Sequence, residues 1–136
     1  MKFVIDASVA LSWCFPDEDT SLAGQVAAMF QRGDTALVPS FWPHEVLNAL
    51  LAGEKRKRIS KDLTHAFLDD LATLPIVLES SSTAIVFDRI RNLARTHSLT
   101  AYDAAYLDLA AETGLPLATL DADLRRACRR ARVQLL

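Results

Sequence analysis

The chain has 136 residues, of which 51% are hydrophobic, and this is enough for one compact domain with a buried core. Its net charge of −2 argues against a strongly basic nucleic-acid binder, and no apolar run approaches the roughly 20 residues that span a bilayer, so we expect no membrane partner. Its two cysteines, Cys14 and Cys128, argue against a disulfide framework or a zinc site and favour the cytoplasm.

The apolar pattern alternates between strand and helix along the chain. Short apolar runs predict strands at 2–5, 36–38, 76–78, 117–120 and 133–136. Helical spacing predicts helices at 7–15, 20–31, 82–96, 100–112 and 121–131. Pro16 is expected to end the first of these helices. Two further helices are expected, one capped by Ser40 and one that starts at Ser60 and ends before Pro75.

Some side chains in these helices carry specific expectations. Thr100 and Asp103 have the spacing of a capping box, and Gly114 is expected to end the same helix. In the helix after Ser40, four apolar residues are expected to face the core: Val46, Leu47, Leu50 and Leu51. The core is also expected to receive most of four aromatic residues: Trp13, Trp42, Tyr102 and Tyr106.

This order of elements predicts an α/β fold. Strands that are separated by helices pair in parallel through right-handed crossovers, so a central parallel sheet is expected between helical layers. Ligands of such sheets bind beyond the carboxyl ends of the strands. Asp6 and Asp121 each follow a predicted strand directly, so both are expected at this functional edge.

Four carboxylates are the candidate site residues, and each also has a purely structural interpretation. Asp6 and Asp121 can be N-caps, Asp103 can belong to its capping box, and Glu45 is favoured in the first turns of a helix. Acids gathered at one edge, however, raise one another's pKa, so a cluster of them usually needs a cation. All-carboxylate ligation favours Mg²⁺ or Mn²⁺, and such an ion beside phosphate oxygens indicates phosphodiester hydrolysis.

Four short segments carry these acids, in an order that spans nearly the whole chain. They are VIDAS at 4–8, HEVLNAL at 44–50, AYDAAYL at 101–107 and ATLD at 118–121. Through their order and spacing the chain resembles the PIN domain family, and within it the VapC-type ribonuclease toxins of type II toxin–antitoxin systems. The resemblance implies a single PIN domain over residues 1–136 with a three-layer α/β/α, Rossmann-like architecture.

The resemblance also implies a function and its residues. The expected activity is that of an Mg²⁺- or Mn²⁺-dependent endoribonuclease that a cognate antitoxin inhibits, with a homodimer as the expected assembly. Metal-centred acids are carried over to Asp6, Asp103 and Asp121, and Glu45 completes the catalytic quartet. Supporting roles are expected for the hydroxyls of Ser8 and Thr119, for Asp123 as an auxiliary ligand, and for Arg125, Arg126 and Arg129 as guides for RNA phosphates.

Two other functions stay open at this point. In the first, Asp6 is the nucleophile of a phosphotransfer or phosphatase domain, but residues 6–8 (DAS) lack the second Asp of a D-x-D motif. In the second, the chain is a non-catalytic binding module of the same fold, and the presence of all four acids argues against it. His44, His65 and His97 are expected to be surface or satisfied residues rather than general bases.

Overall fold

The computed structural model describes residues 1–15 and 21–136. Within them, four parallel strands form one sheet in the order β3-β2-β1-β4. The strands are β1 (Lys2–Ile5), β2 (Thr35–Pro39), β3 (Ile76–Glu79) and β4 (Leu117–Ala118). Val4 pairs with Leu37 on one side and with Leu117 on the other, so β1 lies inside the sheet.

Helices cover both faces of this sheet. Phe3, Val4 and Ile5 are all fully buried, and because neighbouring side chains of a strand point to opposite faces, both faces must be covered. The helices are α1 (Ala7–Leu11), α2 (Ser21–Gln31), α3 (Trp42–Lys55), α4 (Lys61–Ala72), α5 (Thr83–Ile85), α6 (Arg91–His97), α7 (Ala101–Thr113) and α8 (Ala122–Ala131). The predicted α/β fold with a central parallel sheet is therefore confirmed. Among the helices described, none is long and apolar enough to cross a membrane.

The predicted caps of two helices are confirmed. The Thr100 hydroxyl accepts the backbone N–H of Asp103 at 3.1 Å and begins α7, which ends at Gly114 with a φ of 68°. Glycine suits this left-handed position because it has no Cβ to clash with the backbone. Ser60 caps α4 by accepting the N–H of Leu63 at 3.1 Å.

The first helix is shorter than the predicted 7–15. It ends at Leu11, where the Ser12 hydroxyl donates to the carbonyl of Val9 at 2.6 Å. The backbone N–H groups of Trp13 and Cys14 bond to carbonyls three residues back, so the chain tightens into turns instead of continuing the helix. The expected end at Pro16 and the expected helix start at Thr20 lie outside the described residues.

The prediction that Ser40 caps α3 is wrong. The N-cap is Phe41, which makes no side-chain capping bond. Ser40 instead continues the β2–β3 ladder, since its backbone N–H pairs with the carbonyl of Glu79 at 3.0 Å, and α3 begins two residues later. The apolar stripe of α3 is also narrower than expected. Val46 and Leu50 are buried, but Leu47 is 40% exposed and Leu51 is 45% exposed.

Two predictions for the second half of the chain also need correction. The segment 82–96 is not one continuous α-helix, because a π-helical turn (Val86–Ile90) separates α5 from α6. The predicted strand at 133–136 is reduced to an isolated bridge between Leu117 and Leu135. The predicted strand at 117–120 keeps only the two residues of β4, because the following residues leave the ladder and enter the candidate site.

Candidate active site

Asp6 lies at the carboxyl end of β1 and is only 6% exposed. It is the N-cap of α1, and its carboxylate accepts three hydrogen bonds. The donors are the hydroxyl of Thr119 at 2.6 Å, the hydroxyl of Ser8 at 3.0 Å and the backbone N–H of Ser8 at 3.5 Å. Burial raises the pKa of Asp6, these bonds partly lower it, and the charge of Asp121 raises it further.

The same two hydroxyls join Asp6 to the chain that follows β4. The Ser8 hydroxyl accepts the N–H of Leu120 at 3.1 Å, and the Thr119 hydroxyl accepts the N–H of Asp121 at 3.1 Å. Each hydroxyl therefore donates to Asp6 and accepts a backbone N–H from the segment that follows β4. This network fixes the Asp6 carboxylate relative to Asp121, which suits the supporting role expected of Ser8 and Thr119.

Asp121 directly precedes α8 and is its N-cap. Its carboxylate accepts the N–H of Leu124 at 3.0 Å, so the structural interpretation of this residue is realised. Its charge nevertheless acts across the cleft, because it raises the pKa of both Asp6 and Asp103. Capping and membership of an acidic cluster are therefore compatible at this position.

Asp103 and Glu45 approach from the first turns of α7 and α3. The pKa of Asp103 rises to about 6, first because of burial and then because of the charges of Asp121, Asp6 and Glu45. Burial also raises the pKa of Glu45, and the charge of Asp6 adds to this effect. We call the space that these four acids share the carboxylate cleft: Asp6, Glu45, Asp103 and Asp121.

Tyr106 is a site residue that the sequence interpretation assigned only to the core. It is fully buried as expected, and its hydroxyl donates to the Glu45 carboxylate at 2.5 Å. Burial and the nearby acids raise the pKa of this phenol, so it stays a neutral donor. A signal was available in the sequence, because Tyr106 lies three residues after Asp103 on the same face of one helix.

Tyr102 is the exception among the four aromatic residues, most of which are in the core as expected. It is 58% exposed, and its ring packs edge-on against Phe41 at 5.1 Å between centroids. Trp42 is buried and Trp13 is half-buried, as expected. The helical position of Tyr102 directly before a cleft acid turns its ring away from the core.

Asp123 does not join the cleft. Its carboxylate pairs with the guanidinium of Arg126 at 2.8 Å, and both side chains are more than half exposed. Arg125 donates to the carbonyl of Thr119 at 2.9 Å, so it supports the loop of the site. Of the three arginines expected to guide phosphates, only Arg129 is exposed without a partner among the described residues.

The donor set that meets in the cleft consists of carboxylates only, which fits a hard divalent cation. Among residues 1–15 and 21–136, no group of three Asp, Glu, His or Cys side chains is placed so that it could hold a metal ion by itself. An open arrangement suits Mg²⁺, which keeps several waters and is usually held by one or two carboxylates. The raised pKa values of Asp6, Glu45 and Asp103 agree with a site whose charge needs a cation.

Comparison with known proteins identifies the class to which this fold and cleft belong. A sequence profile of the PIN domain matches residues 3–130, so the chain belongs to the PIN domain family. Within this family, the chain is 32% identical to Ribonuclease VapC3 from Pyrobaculum aerophilum over 124 aligned residues. The aligned region covers 91% of this chain and 92% of that relative. The chain is therefore a VapC-like member of the family.

Solved structures show the same fold. PAE2754 from Pyrobaculum aerophilum superposes with a TM-score of 0.75 at 18% identity, covering 99% of this chain and 83% of that one. VapBC2 from Rickettsia felis, bound to a DNA fragment from their promoter, superposes with a TM-score of 0.64 at 15% identity. The superposition covers 100% of this chain and 98% of that one. FitAcB from Neisseria gonorrhoeae superposes with a TM-score of 0.64 at 19% identity, covering 100% of this chain and 96% of that one.

Proposed function

We propose that this chain is a metal-dependent endoribonuclease toxin of the VapC type, which hydrolyses phosphodiester bonds in RNA. The observation that carries the proposal is the carboxylate cleft, which brings together acids from four different segments. Burial and the charges of neighbouring acids raise the pKa values of Asp6, Glu45 and Asp103 there. The identity of 32% to a relative named a ribonuclease supports the choice of RNA as the substrate.

Each residue of the cleft has a role in this proposal. Asp6, Asp103 and Asp121 hold Mg²⁺ or Mn²⁺, and Glu45 completes the quartet. When bound, the metal supplies charge neutralisation at the phosphate and an activated water. Supporting residues keep the acids in place, Ser8 and Thr119 by donating to Asp6 and Tyr106 by donating to Glu45.

The proposal extends to partners. We expect a cognate antitoxin that blocks the carboxylate cleft, and the likeness of the fold to that in VapBC2 supports a paired protein. We also propose a homodimer, which size-exclusion chromatography with light scattering tests. The cytoplasm is the compartment that we propose, because Cys14 and Cys128 are both free thiols.

The decisive experiment incubates the purified protein with a mixed pool of cellular RNA. Cleavage at defined sites is expected with Mg²⁺ or Mn²⁺ and is expected to stop with EDTA. If antitoxin-free protein leaves the RNA intact at physiological Mg²⁺, the result contradicts the proposal and favours a non-catalytic module. Cleavage that continues in EDTA contradicts the role of the metal.

The phosphotransfer alternative has less support. Residues 6–8 (DAS) lack the second Asp of the D-x-D motif to which such a nucleophile belongs. Trapping of a phosphoenzyme on Asp6 with labelled phosphate donors distinguishes the two functions. Formation of that phosphoenzyme contradicts the ribonuclease proposal.

A further inference from the structure

A trough of about 280 Å³ lies beside the carboxylate cleft. We call it the α3 trough and define it by six of its lining residues: Ser8, Leu11, Ala49, Ala52, Arg56 and Leu120. Two of these residues connect it to the cleft, because Ser8 donates to Asp6 and Leu120 immediately precedes Asp121. One end of the α3 trough therefore adjoins the carboxylate cleft.

One face of α3 forms the wall along which this trough runs. Glu45 and Ala49 are four residues apart, Ala52 follows three later and Arg56 four later, which is the spacing of one helix face. At the rise of an α-helix, the eleven steps from Glu45 to Arg56 cover about 16 Å. A few nucleotides of an extended strand can follow that distance from the cleft.

The chemistry of the trough changes along its length. Ala49 and Ala52 are small and half-buried, so they leave space against the apolar side chains of Leu11 and Leu120. At the far end Arg56 is exposed, and among residues 1–15 and 21–136 no carboxylate lies within ion-pair distance of it. A cationic end joined to apolar walls matches a nucleotide, which has a phosphate and a base.

The end of the trough beyond Arg56 is firmly built. The Arg58 guanidinium lies 4.6 Å from the centre of the Phe15 ring, and Phe15 is only 5% exposed. Gly53 permits this packing, because a Cβ at that position would lie 3.0 Å from the Phe15 ring and 3.2 Å from Ile59. The wall that supports Arg56 is therefore packed rather than loose.

We propose that the α3 trough binds the single-stranded RNA on one side of the cleaved bond, with a backbone phosphate on Arg56 and a base between Ala49, Ala52 and Leu120. The inference rests on the proposed ribonuclease function. It also answers a difficulty of that function, since four acids and a net charge of −2 repel RNA unless cations flank the cleft.

The test measures the binding of a labelled single-stranded RNA of about ten nucleotides, in EDTA so that it is not cleaved, across a range of salt concentrations. Arg56→Ala is expected to weaken binding roughly tenfold and to make the slope of log affinity against log salt shallower by about 0.7. Arg56→Lys should restore the slope. Arg130→Ala, which removes an exposed cation from the end of α8, is the matched control and should change neither quantity.

A second variant tests the trough without changing charge. Ala49→Leu narrows it with a good helix former, and we expect weaker RNA binding with an unchanged salt slope and an unchanged melting temperature. If wild-type protein binds RNA and both Arg56→Ala and Ala49→Leu bind it equally well, this inference is overturned while the proposed function stands. If wild-type protein neither binds nor cleaves RNA, both are overturned.

Discussion

The two sides of the carboxylate cleft are held in different ways. On the strand side, Asp6 is almost fully buried and accepts hydrogen bonds from Thr119 and Ser8. On the helix side, Asp103 is half-buried and has three acids acting on its pKa, and Glu45 accepts one bond, from Tyr106. The fold itself therefore fixes the strand side, whereas the helix side carries a repulsion that a bound cation would relieve.

The difference follows from where each acid is attached. Asp6 continues the sheet, because its N–H bonds to the carbonyl of Ala118 at 2.9 Å, and sheet backbones allow little movement. Asp103 and Glu45 instead project from the first turns of separate helices. Their carboxylates can adjust without breaking a strand. The predictions below test this contrast, beginning with the largest expected effect.

Replacing Asp6 by Asn should remove RNA cleavage almost completely. The amide keeps the shape of the side chain but removes a charge that the cation needs. The cleavage rate should therefore fall by more than about 100-fold, which is the upper end of what mutation of a residue supporting a metal ligand costs. Asp123→Asn is the matched control, because it removes a carboxylate that is exposed and paired with Arg126. Rates of RNA cleavage at physiological Mg²⁺ give the comparison. Full activity of Asp6→Asn contradicts the site.

Replacing Thr119 by Val should lower the apparent affinity for Mg²⁺ or the cleavage rate by roughly 10- to 100-fold. Valine has the same shape but neither donates to Asp6 nor accepts from the N–H of Asp121. Thr113→Val, which removes a hydroxyl bonded to the carbonyl of Leu109 at the end of α7, is the control. A Thr119→Val protein with wild-type Mg²⁺ dependence would show that this network does not fix the strand side.

Replacing Tyr106 by Phe should have a smaller effect, about tenfold or less on the cleavage rate. The variant removes the hydroxyl that donates to Glu45, and in the proposed function Glu45 completes the quartet without holding the metal itself. Tyr102→Phe, which removes an exposed hydroxyl, is the control. A loss that exceeds that of Thr119→Val would reverse the contrast between the two sides.

The stability of the metal-free protein should increase as the pH falls from about 7 towards 5. The pKa of Asp103 is about 6 in the folded protein against an ordinary value of 3.8, so between these values the folded state binds more protons than the unfolded state. Protonation therefore favours folding in this window. Urea unfolding in EDTA should show the gain in wild type and a weaker one in Asp103→Asn. Parallel pH profiles of the two proteins contradict this prediction.

The sequence was most informative where structure is local. Asp6 and Asp121 could be placed at one edge of the sheet because each follows a strand, and parallel strands end at the same edge. The cap at Thr100 depends on residues three positions apart and was also predictable. Contacts between distant segments were not. The bond from Tyr106 to Glu45 joins residues 61 positions apart. The spacing of Tyr106 from Asp103 places both on one face of α7, but no local pattern shows that Glu45 is the partner.

The errors have the same physical origin. Ser40 has the chemistry of a cap, but the pairing of β2 with β3 extends to Ser40, so the helix begins two residues later. Only the folded sheet determines how far this pairing extends. The π-helical turn at Val86–Ile90 is set by the register of backbone hydrogen bonds, which the apolar spacing of residues 82–96 does not determine. The exposure of Tyr102 depends on the orientation of α7 relative to α3. Apolar spacing within one helix does not predict that orientation.

The central claim is that four carboxylates share one cleft and need a cation. Thermal melts of wild type and of Asp103→Asn, each with EDTA and with excess Mg²⁺, test it most directly. We expect Mg²⁺ to raise the melting temperature of wild type, because it binds the folded cluster and not the dispersed acids of the unfolded chain. In EDTA, Asp103→Asn should melt at a higher temperature than wild type, because the variant relieves repulsion. If wild type is the more stable protein in EDTA and Mg²⁺ shifts neither melt, Asp103 acts only as part of its helix cap and the shared cleft is contradicted.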